Sequence, residues 1–447
     1  MKLAGRTLVA RGFHCPDGTL EDFAELAIEI GDEGVIVAVH RPGADGYAPP
    51  ADAIRLPEGT LLLPGFVDLH IHAPQYPQLG TALDEPLEVW LQRYTFPLEA
   101  RYSDLAFAER VYSRLVRDLL ASGTTTALYF GTVHLPATQR LAELCLELGQ
   151  RALVGKVAMD HPENCPDYYR DVSAEDAIAG TRALIEHIRT LPGNDGLVEP
   201  VVMPRFIPAC TDEALAGLGA LAAETGCRVH THVSESDWEH GYVLDRHAMS
   251  DAESLARFGL MTPHSVLAHG NFLSGSDFAL MKRHKTGVAH CPLSNAYFAG
   301  SVFPLRKALS AGVSVGLGSD ISGGPAGTIW ETARMAVTAA RMLETGVEPA
   351  LAPEARAGQP GARIDAVTAF HLATRGGAET LGLPVGAFVP GMAFDAMLID
   401  PSVEAGTLRA FDDETGVRLL ERVLYGTSKP NIARVWVQGT QVAGMAG

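Results

Sequence analysis

Two histidines one residue apart, His70 and His72, close the apolar run LLLPGFVDLHIH at residues 61–72. On a β-strand, residues i and i+2 project from one face, about 6.6 Å apart along the chain. Two imidazoles placed this way can converge on one metal ion at about 2.0–2.1 Å each. Taken alone, the pair is more often packing or chance than ligation. Three more polar residues occupy comparable places. His232 lies in RVHTHVSE (228–235), His269 in SVLAHG (265–270) and Asp320 in SVGLGSD (314–320). Imidazole and carboxylate are the ligand types of a catalytic zinc site, which keeps one position open for water.

A shared scaffold would bring these residues together. Runs of strand length recur at 61–72, 123–130, 151–160, 197–206, 228–235, 265–270, 287–292 and 314–320. Between them, segments 104–121, 137–149, 174–190, 212–225, 251–258, 275–284 and 302–311 carry apolar residues at helical spacing. Strands alternating with helices predict an α/β fold, a (β/α)8 TIM barrel. All strands of such a barrel open their C-terminal ends onto one face, where active sites lie. Four histidines and one aspartate on strands one, five, six and eight would then ring a single cavity.

Further helical stretches are expected at 327–345 and 363–381. Short β-like runs at 4–13, 25–30 and 34–40 precede a linker-like stretch, PGADGYAPPAD (42–52). The tail is β-like again from 394. Residues 1–60 and 390–447 are therefore expected to form one composite small β domain, with the barrel at 61–389.

The chain has 447 residues, 47% hydrophobic and 20% charged, which is ordinary globular composition. Lys and Arg number 35 against 53 Asp and Glu, a net charge of −18. That argues against a nucleic-acid groove or an anionic membrane surface, which both need clustered cations. The longest uncharged run, 119–139, is rich in Thr, Gly and Ser and holds His134, so no membrane span is expected. MKLAGRTLVARG at the start lacks a signal-peptide profile. None of the six cysteines forms a Cys-x-x-Cys pair, which excludes zinc-ribbon and thioredoxin-like sites. Scattered thiols fit a reducing, cytoplasmic setting.

His-x-His on strand one, His on strands five and six, and Asp on strand eight resemble the amidohydrolase superfamily. The surrounding words are similar to its guanine deaminase branch. They include PGFVDLHIHAPQY (64–76), RYTFP (93–97), GTTTALYF (123–130), GQRALVGKVAMD (149–160), MPRF (203–206), HVSE (232–235), AHCPLSN (289–295) and GLGSDISGG (316–324). FDAMLID (394–400) and NIARVWVQG (431–439) resemble that branch's closing small domain, a β-sandwich.

The resemblance implies zinc-dependent hydrolysis of guanine to xanthine and ammonia, in purine breakdown or salvage. It implies one zinc per chain, held by His70, His72, His232 and Asp320. His269 would hold the attacking water, Glu235 would shuttle a proton to the ring, and Asp320 would also act as base. Gln75 and Arg205 would hold the purine edge, Phe206 would pack against the ring, and His232 and Glu235 would also face it. The partners implied are a free nucleobase, water and a second copy of the chain in a homodimer.

Other residues have blander readings. His230 is expected to be a packed core histidine, one layer below His232. His290 and His134 could touch the site's surroundings or nothing. His161-Pro-Glu163 lacks the downstream Pro-Cys-x-x-Cys that a Cys-ligated deaminase needs. Arg205 has a rival reading as a structural ion-pair residue.

Two segments depart from the family's usual words, Ala326-Gly327-Thr328 and AYFAGSVFP (296–304). Both belong at the barrel mouth, so isoguanine, 8-oxoguanine or a pterin are alternative substrates. A binuclear hydrolase of the same superfamily would place a lysine at the end of strand four, where Pro204-Arg205-Phe206 stands. A scaffold that had lost activity would be free to lose His70, His232 or Glu235, and all three are present.

Overall fold

A computed structural model describes residues 1–41, 43, 46–409 and 414–444. The expected linker at 42–52 thus lies partly outside the described residues. The N-terminal segment forms β1 (Arg6–His14), β2 (Glu21–Ile30), β3 (Ile36–His40), β4 (Ile54–Arg55) and β5 (Leu61–Pro64). Next come β6 (Phe66–His72), β7 (Thr124–Phe130), β8 (Arg151–Gly155), β9 (Val157–Ala158) and β10 (Val198–Pro204). They continue as β11 (Arg228–Val233), β12 (Val266–His269), β13 (Gly287–His290) and β14 (Val315–Leu317). The tail supplies β15 (Ala396–Ile399), β16 (Ile432–Val437) and β17 (Thr440–Gly444).

Strands β6 to β14 form one parallel sheet in chain order, with β8 and β9 two pieces of one barrel strand interrupted at Lys156. β6 is buried at every residue, as expected where a barrel wall has helices outside and packed side chains inside. The first and last strand ends are joined by two backbone hydrogen bonds. Asp320 N–H donates to His70 O at 2.9 Å, and His72 N–H donates to Ile321 O at 3.0 Å. This is the expected (β/α)8 barrel, with its seam running through three of the residues singled out for metal binding.

Each expected barrel helix is present. Leu105–Ala121 begins where the Asp104 side chain accepts from Ala106 N–H. Asp251–Arg257 starts in a capping box between Ser250 and Glu253. Such caps satisfy backbone donors that the first turn leaves free. Two eleven-residue helices were not foreseen: Asp237–His247, which follows β11 directly, and Gly416–Gly426, which interrupts the tail expected to be β-like. After β6 the chain winds through short turns, including Leu87–Trp90 and Phe96–Ala100, before the first long helix.

The two termini share a second sheet, in the order β17-β16-β15-β5-β1-β2-β3, with β4 beside β1. Its core joins Leu8, Phe23 and Ile28 from one end to Leu398 and Trp436 from the other. The run 61–72 is not one strand. Leu61–Pro64 pairs antiparallel with β15, and the barrel begins at Phe66. Gly65 permits the crossing, because a Cβ there would sit 2.2 Å from Thr125 Oγ1. Among the described residues no helix is long and apolar enough to cross a membrane.

Candidate active site

The site is built from strand ends. Period-two alternation aims Asp68, His70 and His72 of β6 to the same side, and β11 does the same for His230 and His232. The two sets meet inside the barrel. His72 Nε2 lies 2.9 Å from His232 Nε2, and His70 Nδ1 lies 2.8 Å from His230 Nε2. Asp320, just beyond β14, places Oδ1 3.3 Å from His70 Nε2 and 3.7 Å from His72 Nε2. The ligand-type atoms of His70, His72 and His232 lie within 4.8 Å of one another, as do those of His70, His269 and Asp320.

This donor set fits a divalent cation. His70 Nε2 and His269 Nε2 are buried without a hydrogen-bond partner, although a carboxylate faces each of them. Burial, followed by the neighbouring His70, holds His232 well below the usual histidine range, and the same two causes act on His72. Both imidazoles therefore keep free lone pairs at neutral pH. Burial alone would push Asp320 up, but His70 and His269 beside it outweigh that and bring it to about 2. Neutral imidazoles around an ionised carboxylate are the protonation states a metal requires.

Backbone carbonyls fix two of the rings. His232 Nδ1–H donates to Arg205 O at 2.6 Å, and His230 Nδ1–H donates to Val266 O at 2.8 Å. Phe130, at the end of β7, stacks on His72 with centroids 4.7 Å apart and walls one side of the cluster. The backbone is strained at the site. Ser234, His269 and Asp320 have φ of 47°, 72° and 49°, in the left-handed region that side chains avoid at about 1–3 kcal/mol each.

On the open side, Glu235 Oε2 lies 3.7 Å from His269 Nε2, and its Oε1 is buried with no partner. Burial, then Asp320, then Glu239 push the Glu235 carboxyl well above its ordinary range. That shift favours the proton-bearing form, which suits a group that gives a proton away. His269 Nδ1 is 3.0 Å from Asn295 Oδ1, which leaves Nε2 facing the site.

A cleft opens beside this cluster. Its polar lining includes His72, Gln75, Arg205, His232, Glu235 and Asp320, and its apolar lining includes Leu87, Trp90, Leu91, Phe206 and Phe298. Polar groups on one side facing apolar side chains on the other suit a small polar heterocycle.

Comparison with known proteins agrees with this geometry. Residues 61–442 match the profile described as Amidohydrolase family. A probable guanine deaminase of Schizosaccharomyces pombe is 38% identical over 388 residues, covering 86% of this chain and 71% of that protein. The Escherichia coli guanine deaminase is 34% identical over 400 residues, covering 88% and 85%. The chain belongs to the amidohydrolase family, and within it to the guanine deaminases. It is an enzyme of that family. The crystal structure of guanine deaminase from C. acetobutylicum with bound guanine in the active site superposes with a TM-score of 0.86. That pair is 30% identical and covers 98% of this chain and 99% of the other.

Every residue expected to serve a guanine deaminase site reaches this one barrel mouth. Arg205 also fulfils its rival reading, since its guanidinium pairs with Glu99 through Nη1–Oε2 at 2.6 Å and Nη2–Oε1 at 3.2 Å. Glu99 is fully buried and was missed in the sequence. It lies two residues beyond RYTFP, and nothing in its spacing links it to MPRF. Trp90 and Phe298, whose rings meet at 5.0 Å above the cavity, were also missed. His290 is buried beside Phe303, and His134 bonds Ala100 O, so neither reaches the cavity. Lys156 is held by Asp171 at 2.5 Å and Val157 O at 3.1 Å.

Proposed function

We propose that this chain converts guanine and water to xanthine and ammonia, using one zinc ion held by His70, His72, His232 and Asp320. The observation that carries the reading is the convergence on one cavity of Glu235, the imidazole cluster, and the Gln75–Arg205 wall. Bound zinc would supply a water whose pKa falls from 15.7 to about 7.

The chain's own residues do the rest. Gln75 and Arg205 hold the purine edge, and Phe206 packs on the ring. Arg205 is a rigid multiple donor and suits the ring carbonyl. His269 Nε2 orients the attacking water. Asp320 Oδ2 accepts its proton. Glu235 gives its proton to the ring nitrogen beside the amine-bearing carbon, the proton taken up by Asp320 passes to the leaving amine, and Glu235 regains a proton from the new hydroxyl as it becomes the carbonyl. The C–N bond then breaks, ammonia leaves, and the carbon keeps the water's oxygen as a carbonyl. Lys156 is tied up by Asp171, which supports a single metal rather than two.

A related bicyclic amine is the second reading. Phe298, in the departing segment 296–304, lines the cavity and could reshape its roof. The test is ammonia release by zinc-loaded protein from guanine, isoguanine, 8-oxoguanine and pterin. Guanine should be processed fastest, with xanthine formed in equal amount. Preference for another of the four would replace guanine as substrate, and no release from any would overturn the reading.

A further inference from the structure

Glu99 binds both arms of the wall that faces the substrate. Its carboxylate takes two Arg205 donors at 2.6 and 3.2 Å, and Gln75 Nε2–H donates to Glu99 Oε1 at 2.9 Å. Gln75 Oε1 in turn accepts Ser322 N–H at 3.2 Å. These two neighbours fix the amide's orientation, because swapping its ends would set N–H against N–H and oxygen against carboxylate. One amide proton and one lone pair of Gln75 remain for a ligand. Arg205 has five N–H donors, of which Glu99 takes two. Phe96, on the same short helix as Glu99, lies under the guanidinium at 4.9 Å. One helical turn therefore both stacks on and neutralises Arg205.

The charge arithmetic is as informative as the geometry. A buried guanidinium without a partner would draw an anion into the cavity. Paired with the Glu99 carboxylate, the guanidinium adds no net charge to the wall, which keeps directed donors. Such a wall suits a neutral heterocycle with a ring carbonyl, and gives nothing extra to an anion. We propose that Glu99 is a positioning residue that sets the purine edge this pocket accepts, by orienting Gln75 and compensating Arg205. This rests on the guanine reading above.

The test compares wild type with Glu99→Gln and Glu99→Asp. Guanine is set against 2-aminopurine, which carries the same amine without the ring carbonyl. A site built to hydrogen-bond a substrate group rejects analogues lacking it, often by 10⁴-fold or more. In Glu99→Gln, KM for guanine should rise about tenfold or more with kcat changed less than about threefold. The 2-aminopurine parameters should barely move, so discrimination falls about tenfold or more. Zinc content by metal analysis should stay at the wild-type level. Equal losses on both substrates, or an unchanged ratio, overturn the proposal.

Should Glu99→Gln not fold, Glu99→Asp keeps the charge and withdraws it by one methylene. It should show a smaller loss of discrimination, and a wild-type ratio there also overturns the proposal. Calorimetry with hypoxanthine and purine separates this inference from the proposed activity, because neither ligand carries the amine. If wild type fails to deaminate guanine, the activity falls. Glu99 then stands or falls on whether the substitution erases the preference for hypoxanthine.

Discussion

His70 Nδ1 lies 2.8 Å from His230 Nε2, and His230 Nδ1 lies 2.8 Å from Val266 O. A carbonyl only accepts, so His230 carries its proton on Nδ1 and accepts at Nε2. His70 must then carry its proton on Nδ1, which bares the Nε2 lone pair 3.3 Å from Asp320 Oδ1. A residue read as core packing thus selects the tautomer of His70, one of the proposed zinc ligands. Partners of this kind are typically worth 10–100-fold in metal affinity. His230→Leu should therefore release zinc to a competing chelator at about 10–100-fold lower chelator concentration. His230→Gln retains an acceptor oxygen and should recover part of that loss. Equal zinc affinity in all three proteins would refute the relay.

Glu235→Gln should keep zinc and substrate affinity while turnover falls about 10²–10⁴-fold. The side chain keeps its shape and loses only the transferable proton. Stopped ammonia assays alongside metal analysis check this, and near-normal turnover would remove Glu235 from its role.

Arg205→Ala should destabilise the fold as well as weaken guanine handling. It strands the fully buried Glu99 carboxylate without its guanidinium. Breaking a buried pair from one side typically costs about 3–5 kcal/mol. Adding Glu99→Ala should recover part of that stability without restoring guanine turnover. Thermal or urea denaturation of the two single variants and the double variant measures the coupling. Strictly additive losses would show that the pair acts as two independent residues.

Glu239 gives a pH signature. Burial, then Asp251, raise its carboxyl to about 8, and its Oε2 accepts Glu235 N–H at 2.8 Å. The unfolded chain ionises this group near 4.5. The folded state therefore binds the extra proton, so its contribution is complete below that value and is lost as pH rises to about 8. Glu239→Gln keeps an acceptor and has no proton to lose. The stability difference between variant and wild type should shift in the variant's favour from pH 5 to pH 8. A difference that is flat with pH would exclude this titration.

The metal cluster is legible in the sequence because its rules are local. His-x-His on a strand fixes a shared face, and strand ends in a barrel fix a shared rim. Asp320 and His232 need no further information once the alternation of strands and helices is seen. Glu99 is illegible for the opposite reason. It meets Arg205 across 106 residues, through a short helix that no periodicity announces. The split at Gly65 is hidden as well, because an apolar run passing from one sheet to another keeps its hydrophobicity throughout. Trp90 and Phe298 look like ordinary core residues until the turns after β6 are folded over the mouth.

The barrel's seam has a consequence for biosynthesis. Asp68 Oδ1 accepts Ser319 N–H across 251 residues, and the backbone bonds beside it join His70 and His72 to Asp320 and Ile321. A chain still emerging from the ribosome presents His70 and His72 long before Asp320 exists. Closing so long a loop must precede assembly of the full ligand set. The proposed ligand set is therefore complete only once translation has passed residue 320. The proposed ion would then act as a clasp on the join between the barrel's first and last strands. Removing it should raise the local opening rate of that join before any other part of the wall, as amide exchange at Asp320 and His72 would report.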